Sequence, residues 1–255
     1  MGSSTYVMKN IFLFLAMTMM VTAKTHLLFY CGITMVPAIM DVKKRFEKTH
    51  HCTITLIQGG SKDLCKSIQA THQGDLFLPG KDSYIDQCGE AGYVLRQRTV
   101  GYNRLALFVP KGNPKQIKGL DDLLRPDLLT TLGNPETCSI GKAAKETLLR
   151  YGGTSFLDNV HRSLGLFSAD SRDMNHLLLT GQADVGLNWI ASLHALPQND
   201  RIEVIPVFDL YSQPQTLVVA ALQFSLHPKL AQAFVDYLAS PYGKKIMQKY
   251  GFGHE

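Results

Sequence analysis

The sequence is poor in the features that announce chemistry. Charged residues make up 18% of its 255 positions, and tryptophan occurs once. No basic run is interleaved with aromatic residues, which excludes a nucleic-acid surface of the ordinary kind. The nine histidines, at 26, 50, 51, 72, 161, 176, 194, 227 and 254, include no i, i+4 pair, and the five cysteines include no C-x-x-C, so the common zinc patterns are missing. No histidine stands beside a plausible nucleophile loop, and the chain reads as a binding protein with no cofactor rather than as an enzyme. Internal repeats and low-complexity tracts are also lacking. Beyond residue 23 no apolar run is long enough to cross a membrane. Cys31, Cys52, Cys65, Cys88 and Cys138 are odd in number and cannot all pair within the chain; their order in the sequence selects no bridge, and buried free thiols are the ordinary expectation.

What is present starts with a leader. Residues 1–23 carry one charge, Lys9, and an apolar run over 11–21 that is too short to span a bilayer. Val21-Thr22-Ala23 supplies small residues for cleavage, the pattern of a secretory signal peptide, with residues 1–7 as an extension upstream of a second start at Met8. The mature chain is then expected to begin at Lys24 and to be exported, to the periplasm if the resemblance given below holds, with 25 basic and 21 acidic residues, a net charge of +4. That mild excess favours anions only in a general way.

The organising stretch is residues 54–68, ITLIQGGSKDLCKSI. Alternation over 54–58 gives way to Leu64 and Ile68 four apart, so a strand becomes a helix at Gly59-Gly60-Ser61. Ser61 is expected to cap that helix, whose unpaired N–H groups and partial positive charge form a seat for an anion; Gly59 and Gly60 let a ligand lie against the backbone.

Around this stretch strands and helices alternate. Strand patterns at 26–31, 53–58 and 75–78 enclose helices at 37–48 and from 61, a βαβαβ succession that implies a mostly parallel sheet with helices on both faces. A second doubly wound unit follows, with strands at 104–110, 129–132, 164–167, 184–189 and 202–207. A strand at 216–222 and two successive helices, 229–238 and 241–250, are expected to return to the first unit. The fold class is thus α/β, two doubly wound domains joined by hinge crossovers: domain 1 from 24–103 plus 212–255, domain 2 from 104–211. Ligands of open α/β sheets bind beyond the carboxyl ends of the strands. Four small-residue loops lie there, at 31–34, 59–61, 138–141 and 169–171, two from each unit, and predict a cleft lined by helix N-termini from both.

The segments QGGSKDL, GDLFLPG, NRLALFVPKGNP, GNPETCSIGKAAKETL, TGQADVGLNW and FVDYLASPYGKKIMQKYGF, in this order, resemble the periplasmic molybdate- and tungstate-binding proteins of ABC importers, with the type II periplasmic binding fold. The similarity spans nearly all of the mature chain. It implies an oxyanion held by neutral donors: the hydroxyls of Thr34 and Ser61, backbone N–H groups around Gly60 and near Ile140 and Ser171, and Trp189 where the family carries tyrosine. Trp189 and the Cys31-Gly32-Ile33-Thr34 loop depart from the family pattern and bear on which ion is chosen. A site of donors alone rejects hydrogen phosphate, whose proton would lack an acceptor; an inward Asp170 would reverse that preference. The resemblance implies a monomeric receptor delivering molybdate or tungstate to ABC permease subunits. Another oxyanion such as sulfate, phosphate or chromate, a small organic anion, or an exported sensory or colonisation protein on the same fold remain alternatives.

Overall fold

The computed structural model describes residues 24–196 and 199–253, so the leader inferred at 1–23 lies outside the described residues. Strands β1 (Thr25–Gly32), β2 (Cys52–Gly59), β3 (Leu76–Leu78), β4 (Val94–Asn103) and β10 (Gln215–Leu222) form one sheet in the order β2-β1-β3-β10-β4. Strands β5 (Leu105–Pro110), β6 (Thr130–Gly133), β7 (Leu164–Ser168), β8 (Val185–Trp189) and β9 (Ile202–Pro206) form the other, in the order β7-β6-β8-β5-β9. The helices are α1 (Val36–His50), α2 (Ser61–Thr71), α3 (Ser83–Glu90), α4 (Ser139–Ser163), α5 (Ser171–Leu179), α6 (Pro228–Ala239) and α7 (Pro241–Lys249).

Alternation along the strands explains how the first sheet carries helices on both faces. Leu27, Phe29 and Cys31 of β1 enter one core with Leu76 and Leu78 of β3 and Leu217, Val219 and Ala221 of β10. The intervening Tyr30, Phe77, Ala220 and Leu222 enter a second core with Leu64, Cys65 and Ile68 of α2 and Tyr84, Ile85 and Cys88 of α3. This period of two fixes the register, since a one-residue slip would exchange the faces. The first core is closed by α1, α6 and α7, with Phe234 edge-on to both Phe29 (5.4 Å) and Phe46 (5.0 Å). The second sheet has its own core, built on Leu105–Val109, Leu148, Val160, Met174, Leu187 and Trp189.

Both sheets are mixed rather than mostly parallel. β1 pairs parallel with β2 and β3, and β6 with β7 and β8, but β10 and β5 run antiparallel to both of their neighbours. These two strands enter their sheets directly from the crossovers between domains, without an intervening helix that would reverse the chain. β4 and α3 carry no clear sequence signal: the centre of β4, Arg96-Gln97-Arg98-Thr99, is polar because it forms a sheet edge, and α3 is only eight residues long. Within α4, Gly153 takes φ 70°, a left-handed kink that only glycine adopts at little cost.

The helix pair α6–α7 returns to the first sheet through a tight corner. Ser240 accepts a hydrogen bond from the Gly243 N–H at 3.3 Å as the N-cap of α7, and a Cβ on Gly243 would overlap the Leu238 carbonyl of α6. Gly243→Ala is therefore expected to cost about 1–3 kcal/mol through overpacking. Thermal unfolding followed by circular dichroism should show a midpoint several degrees lower; an unchanged midpoint would mean that the corner opens freely.

Candidate functional site

Five strands end at one place. The turns that follow β1, β2, β3, β6 and β7 bring residues 32–35, 59–61, Gly80, 138–140 and 170–171 around a cavity between the two sheets. Its volume is ≈ 20 Å³ for the centre of a water-sized atom. A sphere of that volume has a radius of about 1.7 Å, where about 10–15 Å³ already admits a single water. The space is small.

The cavity is built from helix beginnings. Gly32 precedes the short 3-10 turn Ile33–Met35 that leads into α1, Gly60 is the N-cap of α2, and Cys138 is the N-cap of α4; none of the three makes a side-chain capping bond. The first N–H groups of a helix have no intrahelical partner and carry its positive dipole end. Here they open onto shared space. At α5 the N-cap is Asp170, whose Oδ1 accepts from the N–H groups of Arg172 (2.7 Å) and Asp173 (3.1 Å), so this carboxylate is engaged along its own helix and Ser171 begins the turn.

Ser61 corrects one expectation. It is the first residue of α2 and not its cap, because Gly60 occupies the cap position in extended conformation. Its hydroxyl bonds elsewhere. Oγ accepts the Gly80 N–H at 3.0 Å, which leaves the hydroxyl proton for another acceptor. A Cβ on Gly80 would lie 2.5 Å from Ser139 Oγ and 3.6 Å from Ser61 Oγ, so glycine lets hydroxyls from the two sheets approach the same point. Thr34, Ser61, Ile140 and Ser171 are all buried at the cavity, with Gly60 beside them. Trp189 stands apart: it is 1% exposed in the core of the second sheet and does not line the cavity. Sequence reasoning passes over Gly80 and the Ser139 hydroxyl. Gly80 is open to the same rule as the others, since it follows the carboxyl end of β3.

Among the described residues no lysine or arginine lines the cavity, and Asp170 is its one charged residue. Burial pushes the Cys138 thiol above its ordinary range, so it stays protonated at neutral pH. Cations lie outside, bridging the two halves: Lys62 pairs with Glu136 at 3.3 Å, Lys81 with Glu146, and Lys142 sits 4.2 Å over the Tyr84 ring. Among the described residues no three His, Cys, Asp or Glu side chains gather as a metal site, and no helix is long and apolar enough to cross a membrane.

Behind the start of α5 lies a buried amide chain. Asn188 Nδ2 donates to the Ser171 carbonyl (3.0 Å) and to Asn175 Oδ1 (2.8 Å), Asn175 Nδ2 donates to Ser192 Oγ (3.2 Å), and Asn188 Oδ1 accepts from the Trp189 N–H (2.8 Å). Both asparagines are fully buried. Asn188→Ala should destabilise the fold by about 1–3 kcal/mol for each group left unpaired. Denaturant titration measures this; a loss below about 0.5 kcal/mol would mean that the chain is not holding α5.

Comparisons place this arrangement among known proteins. Residues 27–253 match the bacterial extracellular solute-binding protein family. The molybdate-binding protein ModA of Mycobacterium bovis is 25% identical over 194 residues, covering 76% of this chain and 70% of that protein. The sulfate-binding protein SubI from Mycobacterium tuberculosis H37Rv superposes with TM-score 0.79 at 19% identity, covering 89% of this chain and 86% of that one. PEB3, the Campylobacter jejuni protein solved with L-phospholactate bound, superposes with TM-score 0.72 at 19% identity, covering 90% of this chain and all of that one. With two mixed α/β sheets closing on a cavity of helix N-termini and a match over nearly all of its described length, the chain belongs to the bacterial extracellular solute-binding protein family.

Proposed function

We propose that this protein is an exported receptor for a compact tetrahedral oxyanion, molybdate or tungstate first among them, which it delivers to the membrane subunits of an ABC permease. The observation that carries the reading is the cavity itself, ≈ 20 Å³ enclosed by the starts of α2, α4 and α5 and by the hydroxyls of Ser61 and Ser139. Neutral donors suit a fully ionised oxyanion, and the capping role of Asp170 Oδ1 keeps that oxygen from serving as an acceptor for a protonated one. The molybdate-binding relative supports the same choice of ligand class.

A second reading has a specific observation behind it. A hollow of ≈ 400 Å³ borders the same segments, lined by Lys81, Lys142 and Lys145 together with Glu136 and Glu146, the latter paired with Lys81. A small organic phosphate could place its phosphate at the helix starts and its body among these lysines, as the phospholactate complex of PEB3 suggests by fold likeness. Calorimetric titration of the mature protein with molybdate, tungstate, sulfate, chromate, phosphate and phospholactate separates the two. Molybdate or tungstate should bind most tightly; phospholactate binding more tightly than either would replace the first reading with the second.

Ser61→Ala removes one hydroxyl donor and leaves the backbone donors in place. A hydrogen bond to a charged acceptor contributes about 1.5–3 kcal/mol, so affinity for the preferred anion should fall by roughly ten- to a hundredfold. Wild-type affinity in a folded variant would remove Ser61 from the seat.

A further inference from the structure

One turn along α2 from the cavity, Cys65 Sγ and Cys88 Sγ lie 3.8 Å apart, joining α2 to α3. Both are buried, and among the described residues they are the one pair of cysteine sulfurs in contact. The other three sit on separate elements: Cys31 on β1, Cys52 on β2 and Cys138 before α4. We propose that Cys65 and Cys88 are a disulfide-forming pair, oxidised by thiol–disulfide exchange when the exported chain folds.

The two sulfurs are in van der Waals contact, and a disulfide asks them to close to about 2.05 Å. The bridge would close the segment between residues 65 and 88, which contains β3 and Gly80. It would therefore tie together the part of the first sheet that supplies Ser61, one helical turn before Cys65, and its Gly80 partner. In the packed helix pair, hydrogen bonding to Cys88 draws the Cys65 thiol down to about 7, while the same hydrogen bond and burial push Cys88 up.

The oxidant is a disulfide, either a low-molecular-weight one or an exported dithiol oxidase. The Cys65 thiolate attacks one sulfur of that disulfide, breaking its bond, forming a mixed disulfide and releasing one thiolate. Cys88 gives its proton to that thiolate and attacks Cys65 Sγ, forming the bridge and expelling the second donor thiolate. The donor disulfide is reduced to two thiols, and the protein loses two hydrogen atoms. Because both sulfurs are buried in the finished fold, the exchange belongs to the folding stage, before α2 and α3 pack.

The inference rests on the proposed export, and the test keeps the two apart. The mature chain is unfolded, refolded in a mixture of reduced and oxidised glutathione, alkylated and mapped by mass spectrometry. A linked Cys65–Cys88 peptide with the other three cysteines alkylated is expected. The thermal midpoint of the oxidised protein should fall by about 5–10 °C on reduction, whereas the Cys65→Ala/Cys88→Ala double variant should be indifferent to reductant. Five alkylated thiols after oxidative refolding, or a bridge between a different pair, would overturn the proposal whatever the location of the protein. A linked peptide in vitro together with five free thiols in protein recovered from the cell would uphold the chemistry and refute the export on which its biological use depends.

Discussion

The constraint on which the structure depends is the unpaired backbone at the start of each helix. Each helix leaves its first N–H groups without an internal partner, and a folded chain tolerates buried orphans of this kind poorly. Here several helix starts from two sheets face a single cavity instead of solvent, and three of the residues that precede them, Gly32, Gly60 and Cys138, contribute no capping side chain. Positive dipole ends brought together repel one another unless an anion lies between them. The local architecture thus gathers the uncapped starts of helices from both sheets at one place.

The rest of the molecule holds that arrangement in place. Strand alternation locks the first sheet between its two cores, so the turns after β1, β2 and β3 cannot drift relative to one another. On the other side the chain of Asn188, Asn175 and Ser192 fastens the start of α5 to the end of β8 by side-chain bonds in a dry interior, where each is more costly to lose than at the surface. The exposed pairs that cross between the halves, such as Lys62 with Glu136, are weaker and salt-sensitive.

Much of this is legible in the sequence because it rests on local rules. The switch of period at Gly59-Gly60-Ser61, the small-residue loops at strand ends and the two successive C-terminal helices all follow from residue spacing, and the structure places Thr34, Gly60, Ser61, Ile140 and Ser171 together at the cavity. What escapes has non-local causes. Ser61 reads as a cap because serine commonly caps, but its hydroxyl is taken by Gly80, nineteen residues on, through a sheet order that sets β2 and β3 on either side of β1 and that spacing does not encode. Trp189 falls at the site by analogy with a family position, whereas its bulk is accommodated in the second core. The polar edge of β4 conceals a strand, since a charged edge lacks the alternation by which strands are recognised.

The placement of β10 has a consequence for the order in which the molecule takes shape. The second sheet is built from one unbroken stretch, 105–206, but the first needs a strand from residues 215–222 wedged between β3 and β4. A chain emerging from its amino end can finish the second unit early, while β1, β2 and β3 wait for a central strand that arrives almost last. Closing that long circuit is the slow, entropically costly step. The first sheet is therefore complete only once the tail of the chain has joined it, and with it the turns that bring Gly32, Gly60 and Gly80 together.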